Sequence, residues 1–321
     1  MLRLPRFRYV APATLDEAIR LRTEHLATSM YVAGGTDVYP KMKRRQFQPE
    51  VVIGLGLLVS TDIRNGTGLR VGAGATLTKV SEDAKVRNGY TALAEAASLV
   101  STPQLRNMGT IGGNVCLDTR CNWYDQSLFW RTAEGFCMKT NGEVVCRVAP
   151  SSPRCLAVAS ADTVPALIAL GATITVAGPN GERSVALADC YREDGIRYLT
   201  LEPGEVVTEV VLPPSDGWKS TYLKLRDRNS FDFPIAGIAA AVRWDGGRVA
   251  DARVAMTALA SRPVAVDASS LRGTKLEDEA IAVVAEAVHK AARPMDNTSG
   301  TISQRKRTAR VFAERALRSL R

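Results

Sequence analysis

Residues 31–43 read YVAGGTDVYPKMK and residues 104–116 read QLRNMGTIGGNVC. Each stretch holds two adjacent glycines, Gly34-Gly35 and Gly112-Gly113. The first pair ends a short apolar run, Tyr31-Val32-Ala33, that reads as a strand, and leads on through Thr36 and Asp37 to Val38. The second is framed by Thr110, Ile111 and Asn114. Adjacent glycines admit positive φ and a close approach of backbone to ligand. A run of free backbone N–H groups in such a loop makes a concavity suited to a pyrophosphate. Neither loop fits G-x-G-x-x-G or G-x-x-x-x-G-K-[ST], which disfavours the Rossmann and P-loop readings. Either loop alone also reads as a tight turn at a strand end; the two in one chain point more strongly to a ligand.

Outward from these loops, the 321 residues are 45% hydrophobic and 23% charged, ordinary for a globular protein. The length suffices for two domains. No apolar run approaches the ~20 residues of a membrane span. The start, MLRLPRFRYV, lacks a signal-peptide core, so a cytoplasmic location is expected. The net charge is +9, and residues 302–321 hold seven basic side chains and one acid, Glu314. Val311, Phe312, Ala316, Leu317 and Leu320 recur among them at helical spacing, so this segment reads as a packed helix with a solvated or partner-facing side. No nucleic-acid motif accompanies the charge. His25 and His289 both fall in helical patterns and read as packing or surface residues, and no nucleophile elbow or metalloprotease helix is present.

The spacing predicts a helix at 12–25 with Thr14 as its cap and Glu17 as reciprocal partner. Residues 49–58 and 69–80 read as strands, 90–100 as a helix, and 101–116 as a loop. The double proline at 213–214 closes a strand, and a boundary is placed between Pro213 and Trp218. The expected class is α+β: residues 1–215 as one domain of two subdomains, and residues 216–321 as a small antiparallel sheet covered by helices. Ile281, Val284 and Val288 share one face of the first of these helices.

One stretch resists periodic reading. Residues 118–137, DTRCNWYDQSLFWRTAEGFC, carry two tryptophans, a tyrosine, two phenylalanines and two cysteines. Cys121, Cys137, Cys146 and Cys155 are spaced C-x15-C-x8-C-x8-C. Zinc sites usually start from close pairs, as do the common ferredoxin spacings. Disulfides are disfavoured in a reducing compartment. A metal centre gathered from a loop and wrapped by Trp123, Tyr124, Phe129, Trp130 and Phe136 and a set of incidental buried cysteines both fit this spacing.

The two glycine stretches, together with YLKLRDRNSFDFPIAGIAAAV at 222–242 and PMDNTSGTISQRKRTARVFAERAL at 294–317, resemble the flavin-binding medium subunit of the molybdenum hydroxylases, the family of xanthine dehydrogenase and carbon monoxide dehydrogenase. The resemblance covers essentially the whole chain. It implies a two-subdomain FAD-binding fold (PCMH/vanillyl-alcohol-oxidase-like), with Tyr31, Val32, Ala33, Gly34, Gly35, Thr36, Asp37 and Val38 as the first pyrophosphate loop. Thr110, Ile111, Gly112, Gly113 and Asn114 match the second loop. Asp162 matches an acidic position that contacts the flavin nucleotide, and Lys224 a lysine near the flavin ring. Leu199 or Leu201 would flank the isoalloxazine.

The path from Asn114 to Asp162 is much longer than in most of this family. Residues 115–139 resemble an insertion found in one subgroup, the 4-hydroxybenzoyl-CoA reductases. That resemblance implies an insertion at about 116–158 and a [4Fe–4S] cluster on Cys121, Cys137, Cys146 and Cys155, leaving Cys116 outside the set and Cys190 in the core. It further implies a molybdopterin-binding large subunit and a small subunit with two [2Fe–2S] clusters, assembled as (αβγ)2, and ferredoxin as electron donor. Two other readings stay open: a hydroxylase subunit with outward electron flow, and a zinc-stabilised binding protein with a degenerate flavin fold.

Overall fold

The computed structural model describes residues 2–321. The chain forms three sheets in sequence. The first is parallel, order β1-β3-β2, from β1 (Arg8–Val10), β2 (Ser29–Val32) and β3 (Val51–Gly54). Helices α1 (Leu15–Glu24) and α2 (Val38–Lys43) connect it. Thr14 Oγ1 accepts the Glu17 N–H at 3.1 Å, as expected. The Glu17 carboxylate returns to the N–H of Ala13 at 2.8 Å, one residue before the position a capping box predicts.

The second sheet has order β4-β5-β8-β6-β7, with β4 (Ile63–Asn65), β5 (Leu69–Gly72), β6 (Thr173–Gly178), β7 (Gly181–Ala186) and β8 (Val206–Leu212) all paired antiparallel. Between β5 and β6 run α3 (Leu77–Glu82), α4 (Ala84–Gly89), α5 (Thr91–Ser98), α6 (Pro103–Arg106), α7 (Ile111–Val115), α8 (Leu128–Ala133) and α9 (Thr163–Ala169). Two expectations change here. The strand expected over 69–80 stops at Gly72, because Thr76 caps α3 by accepting the Lys79 N–H at 3.2 Å. The loop expected over 101–116 contains α6 and α7, capped by Thr102 and Thr110.

The third sheet, order β12-β11-β10-β9, is antiparallel: β9 (Trp218–Leu225), β10 (Ala236–Asp245), β11 (Arg248–Thr257) and β12 (Val264–Val266). Gly246 and Gly247, at φ 53° and 75°, make the two-residue turn from β10 to β11 that the twist of a hairpin favours. Side chains alternate across a strand, and β10 uses both faces. Ala236, Ile238, Ala240 and Val242 join the core beneath α10 (Asp278–Ala291) and α11 (Ile302–Arg318). Ala239 and Ala241 join the core that holds α5 and α9. The alanine-rich strand thus lets helices and sheet close on it from either side.

Ile281, Val284 and Val288 face the third core as expected. Helix α11 buries Ala309, Ala313, Ala316 and Leu317, while Phe312 is partly covered. It also buries Arg305, whose guanidinium donates to the carbonyls of Ile235, Met295 and Ala258, tying α11 to the loops at the end of the third sheet. No helix among the described residues is long and apolar enough to cross a membrane.

Candidate functional site

The two glycine loops meet. A Cβ on Gly34 would lie 1.8 Å from the Met108 carbonyl oxygen, so only glycine lets the first loop sit against the second. The Thr36 hydroxyl is 3.3 Å from where a Gly109 side chain would begin. Gly35 stands at φ 71°, which turns the chain from β2 into α2. Among the described residues, the N–H groups of Gly34, Gly35, Thr36, Asp37 and Val38 find no protein acceptor. Tyr31 lies on β2 and its hydroxyl donates to the Gly204 carbonyl at 2.9 Å, while Val32 is buried. A half-buried run of free donors of this kind can hold an anion.

The second loop behaves differently, and the expectation of free N–H groups there is corrected. Ile111 N–H donates to Ala75 at 2.9 Å and Gly112 N–H to Ala73 at 3.0 Å. Gly113 N–H donates to Thr110 Oγ1 at 3.1 Å, and Asn114 N–H to the Thr110 carbonyl at 2.9 Å. Gly112 is required for packing: its Cβ would fall 2.7 Å from that of Ala73. Asn114 Oδ1 accepts both the N–H and the hydroxyl of Thr163, at 3.2 and 2.6 Å, which joins the loop to the start of α9. The second glycine pair therefore serves close packing, while the first leaves donors open.

Asp162 and Lys224, far apart in sequence, form a pair at 3.0 Å, with side chains only 3% and 1% exposed. The other carboxylate oxygen accepts from Tyr222 Oη at 2.8 Å, and Lys224 also donates to the Leu99 carbonyl at 3.0 Å. Burial pushes the Asp162 carboxyl up and the Lys224 ammonium down, each against the other's charge. Lys224 therefore carries its own counter-ion and offers no uncompensated charge. Tyr222 was not anticipated; its place two residues before Lys224 puts both on one face of β9. Leu199 and Leu201 are both half-buried, and Leu199 bridges to Tyr191. Ser160 Oγ, two residues before Asp162, is buried without a partner.

The insertion closes on itself. Arg120 and Val158 form an isolated antiparallel bridge, exchanging hydrogen bonds at 2.8 and 2.7 Å. Beyond this neck, Cys121, Cys137, Cys146 and Cys155 line a single small cavity of about 10 Å3. All four are buried, at 5–8% exposure, and all are free thiols. Cys116 and Cys190 lie elsewhere, against the main core. Burial pushes the Cys121 thiol up to about 12. It pushes Cys155 up to about 11, against the Ala157 N–H and the Lys139 charge, which pull it down. A metal cation bound beside Cys121 and Cys155 would favour their thiolate forms.

Gly195, unremarked in the sequence, packs behind Cys155: its Cβ would lie 2.7 Å from Cys155 Sγ. Trp123 and Tyr124 line the cavity, and Trp130 packs on Trp123 with ring centroids 5.6 Å apart. The expected aromatic wrap is incomplete. Phe129 is 86% exposed, because α8 turns Arg131 inward and leaves residue 129 on its outer side. Phe136 is half-buried at φ 67°. Among the described residues no three His, Cys, Asp or Glu side chains converge as a single-ion site.

A buried ionic network joins the first glycine loop to this cavity. Lys41 on α2 meets Asp118 at 2.6 Å, and Lys139 meets the other oxygen of Asp118 at 2.6 Å. Arg120 pairs with Asp37 and lies 3.4 Å from Asp125. Burial would raise the Asp118 carboxyl, but Lys139 and Lys41 together hold it below the usual range. Burial pushes the Lys41 ammonium down to about 8.

Comparison with known proteins fits this architecture. The family described as FAD binding domain in molybdopterin dehydrogenase matches residues 5–215, and the CO dehydrogenase flavoprotein C-terminal domain matches residues 220–320. The chain is 31% identical to the FAD-binding subunit of an aldehyde oxidoreductase from Escherichia coli K12, over 96% of this chain and 98% of that one. It is 29% identical to the carbon monoxide dehydrogenase medium chain of Hydrogenophaga pseudoflava, covering 98% and 96%. A solved structure of carbon monoxide dehydrogenase from that organism superposes with a TM-score of 0.82 at 27% identity, covering 99% of this chain and 98% of the other. The cradle of free N–H groups at Gly34–Val38, the close seating of the two loops and these matches agree, and the chain belongs to the FAD-binding medium subunits of the molybdopterin dehydrogenase family.

Proposed function

We propose that this chain is the electron-transferring subunit of a molybdenum enzyme resembling 4-hydroxybenzoyl-CoA reductase, and that it holds a [4Fe–4S] cluster beside its FAD. The observation that carries the reading is the convergence of Cys121, Cys137, Cys146 and Cys155, and no other cysteine, on one cavity next to the flavin loop. When bound, the cluster supplies one-electron transfer and FAD both one- and two-electron transfer. The N–H groups of Gly34–Val38 hold the pyrophosphate, with Thr110–Asn114 backing them. Asp162 and Lys224 lie on the nucleotide and ring side. Trp123, Tyr124 and the buried cysteines keep water from the metal centre, which together with ligand charge sets its potential.

On this reading a low-potential donor such as ferredoxin delivers electrons to this subunit. They leave for a small partner subunit with two [2Fe–2S] clusters and a molybdopterin-binding large subunit, in an (αβγ)2 assembly. There two electrons and two protons convert a phenolic C–OH to C–H and water. The zinc reading fits less well, because zinc sites usually start from close cysteine pairs and the C-x15-C-x8-C-x8-C spacing has none. A second reading, outward electron flow from an oxidised substrate, is favoured by the names of the relatives, which are dehydrogenases and an aldehyde oxidoreductase.

The test is electron paramagnetic resonance of the dithionite-reduced, purified complex, with iron and acid-labile sulfide assays. Signals from two-iron centres alone would refute the four-iron reading. Reduction of 4-hydroxybenzoyl-CoA by a low-potential donor would then separate inward from outward flow.

A further inference from the structure

Lys139 stands apart from the other cations near the cysteine cavity. It lines the cavity, yet its side chain is only 7% exposed. An ammonium has three N–H donors, and all three have oxygen partners: Asp118 Oδ1 at 2.6 Å, Thr119 Oγ1 at 2.6 Å and the Gly195 carbonyl. None is left to bond a sulfur. Whatever Lys139 does to a group in the cavity, it does through its charge and not through a hydrogen bond. Its ammonium also lies 4.7 Å from the centre of the Tyr124 ring, a low-dielectric neighbour that weakens screening.

Its counter-charge, Asp118, is shared with Lys41. The network holds four cations, Lys41, Arg44, Arg120 and Lys139, against three carboxylates, Asp37, Asp118 and Asp125. Asp118 is shared equally by two ammoniums at 2.6 Å each. The surplus falls on Arg44, which is 29% exposed and 3.8 Å from Asp125, while Lys139 is the member of the network that lines the cavity. Arg147 also lines the cavity but is exposed, with its guanidinium donating to the Phe136 carbonyl at 3.0 Å and to the Glu134 carbonyl. Water and salt screen such a group far more than a buried one.

We propose that Lys139 is a tuning residue: its buried positive charge, which alone among the charges of this network lines the cavity, raises the reduction potential of the metal centre held by the four cysteines, by favouring the more negative reduced state. This rests on the four-iron reading above. Asp118 and Gly195 hold the ammonium at the cavity wall, and Asp118 links it to Lys41 on the helix that follows the flavin loop.

The experiment is a potentiometric titration of the intact complex, following the four-iron resonance in wild type and in the variants Lys139→Met, Lys139→Arg and Arg147→Gln, with FAD and iron content measured in each. Lys139→Met should lower the ratio of reduced to oxidised cluster at fixed potential on the order of tenfold, a negative shift of ~59 mV for one electron. Lys139→Arg should keep the wild-type midpoint, and Arg147→Gln should move it much less than Lys139→Met. Should Lys139→Met lose iron, Lys139→Gln in the same titration replaces it. A midpoint unmoved by loss of the Lys139 charge, or moved as far by Arg147→Gln, overturns the inference while leaving the cluster in place. Absence of the resonance from the wild type removes the reading and the inference together.

Discussion

The first glycine loop and the cysteine cavity are neighbours built by opposite means. The first is backbone: Gly34 has no room for a side chain against Met108, and the donors that remain open are main-chain N–H groups. The second is side chain: four thiols on a long excursion reach inward, and the backbone between them has slack, since Gly142 has nothing within 4 Å of a would-be Cβ. A backbone-built site fails when atoms are added, whereas a side-chain-built site fails when particular atoms are exchanged. The two glycine loops repeat the lesson on a smaller scale, because similar residues leave N–H groups open in one and bonded in the other.

Predictions sharpen this contrast in order of expected effect. Gly34→Val should abolish FAD retention and destabilise the chain by about 3 kcal/mol, since the clash is with a carbonyl fixed in the second loop. Flavin absorbance and thermal unfolding of the purified protein check it, and a yellow, fully stable variant would break the contrast. Cys137→Ser should remove the proposed cluster's iron and leave FAD bound; unchanged iron by metal analysis would reject that ligand. Thr110→Ala should cost about 1 kcal/mol, the usual worth of an N-cap, lowering the melting temperature with flavin still in place. Gly142→Ala should stay within about 0.5 kcal/mol of wild type, and a larger loss would show that the insertion backbone is less free than its open surroundings imply.

Much of this was legible from residue types. The four cysteines stand out against a chain with six in all, and the glycine pairs mark where chain meets chain or ligand. Thr14, Thr76 and Thr110 as helix caps follow from local chemistry, although the latter two begin helices where a strand and a loop were expected. Phe129 was expected to shield the centre and instead faces solvent, because the direction of a side chain on α8 depends on what Arg131 finds inside, here the Arg44 carbonyl at 2.8 Å. Gly195 and Tyr222 carried no signal: each matters through a residue distant in the chain.

By itself the sequence determined the α+β class, the two glycine loops and the set of four cysteines, because local propensity and residue chemistry are written along the chain. Tertiary structure alone decided that the first loop keeps its donors open while the second does not. It alone paired Asp162 with Lys224 and set the buried Lys139 ammonium, paired with Asp118, at the cavity wall. Hydrogen bonds and ion pairs of this kind are settled by groups dozens of residues apart, and a charge is cancelled or left over only when folding brings its partners within reach.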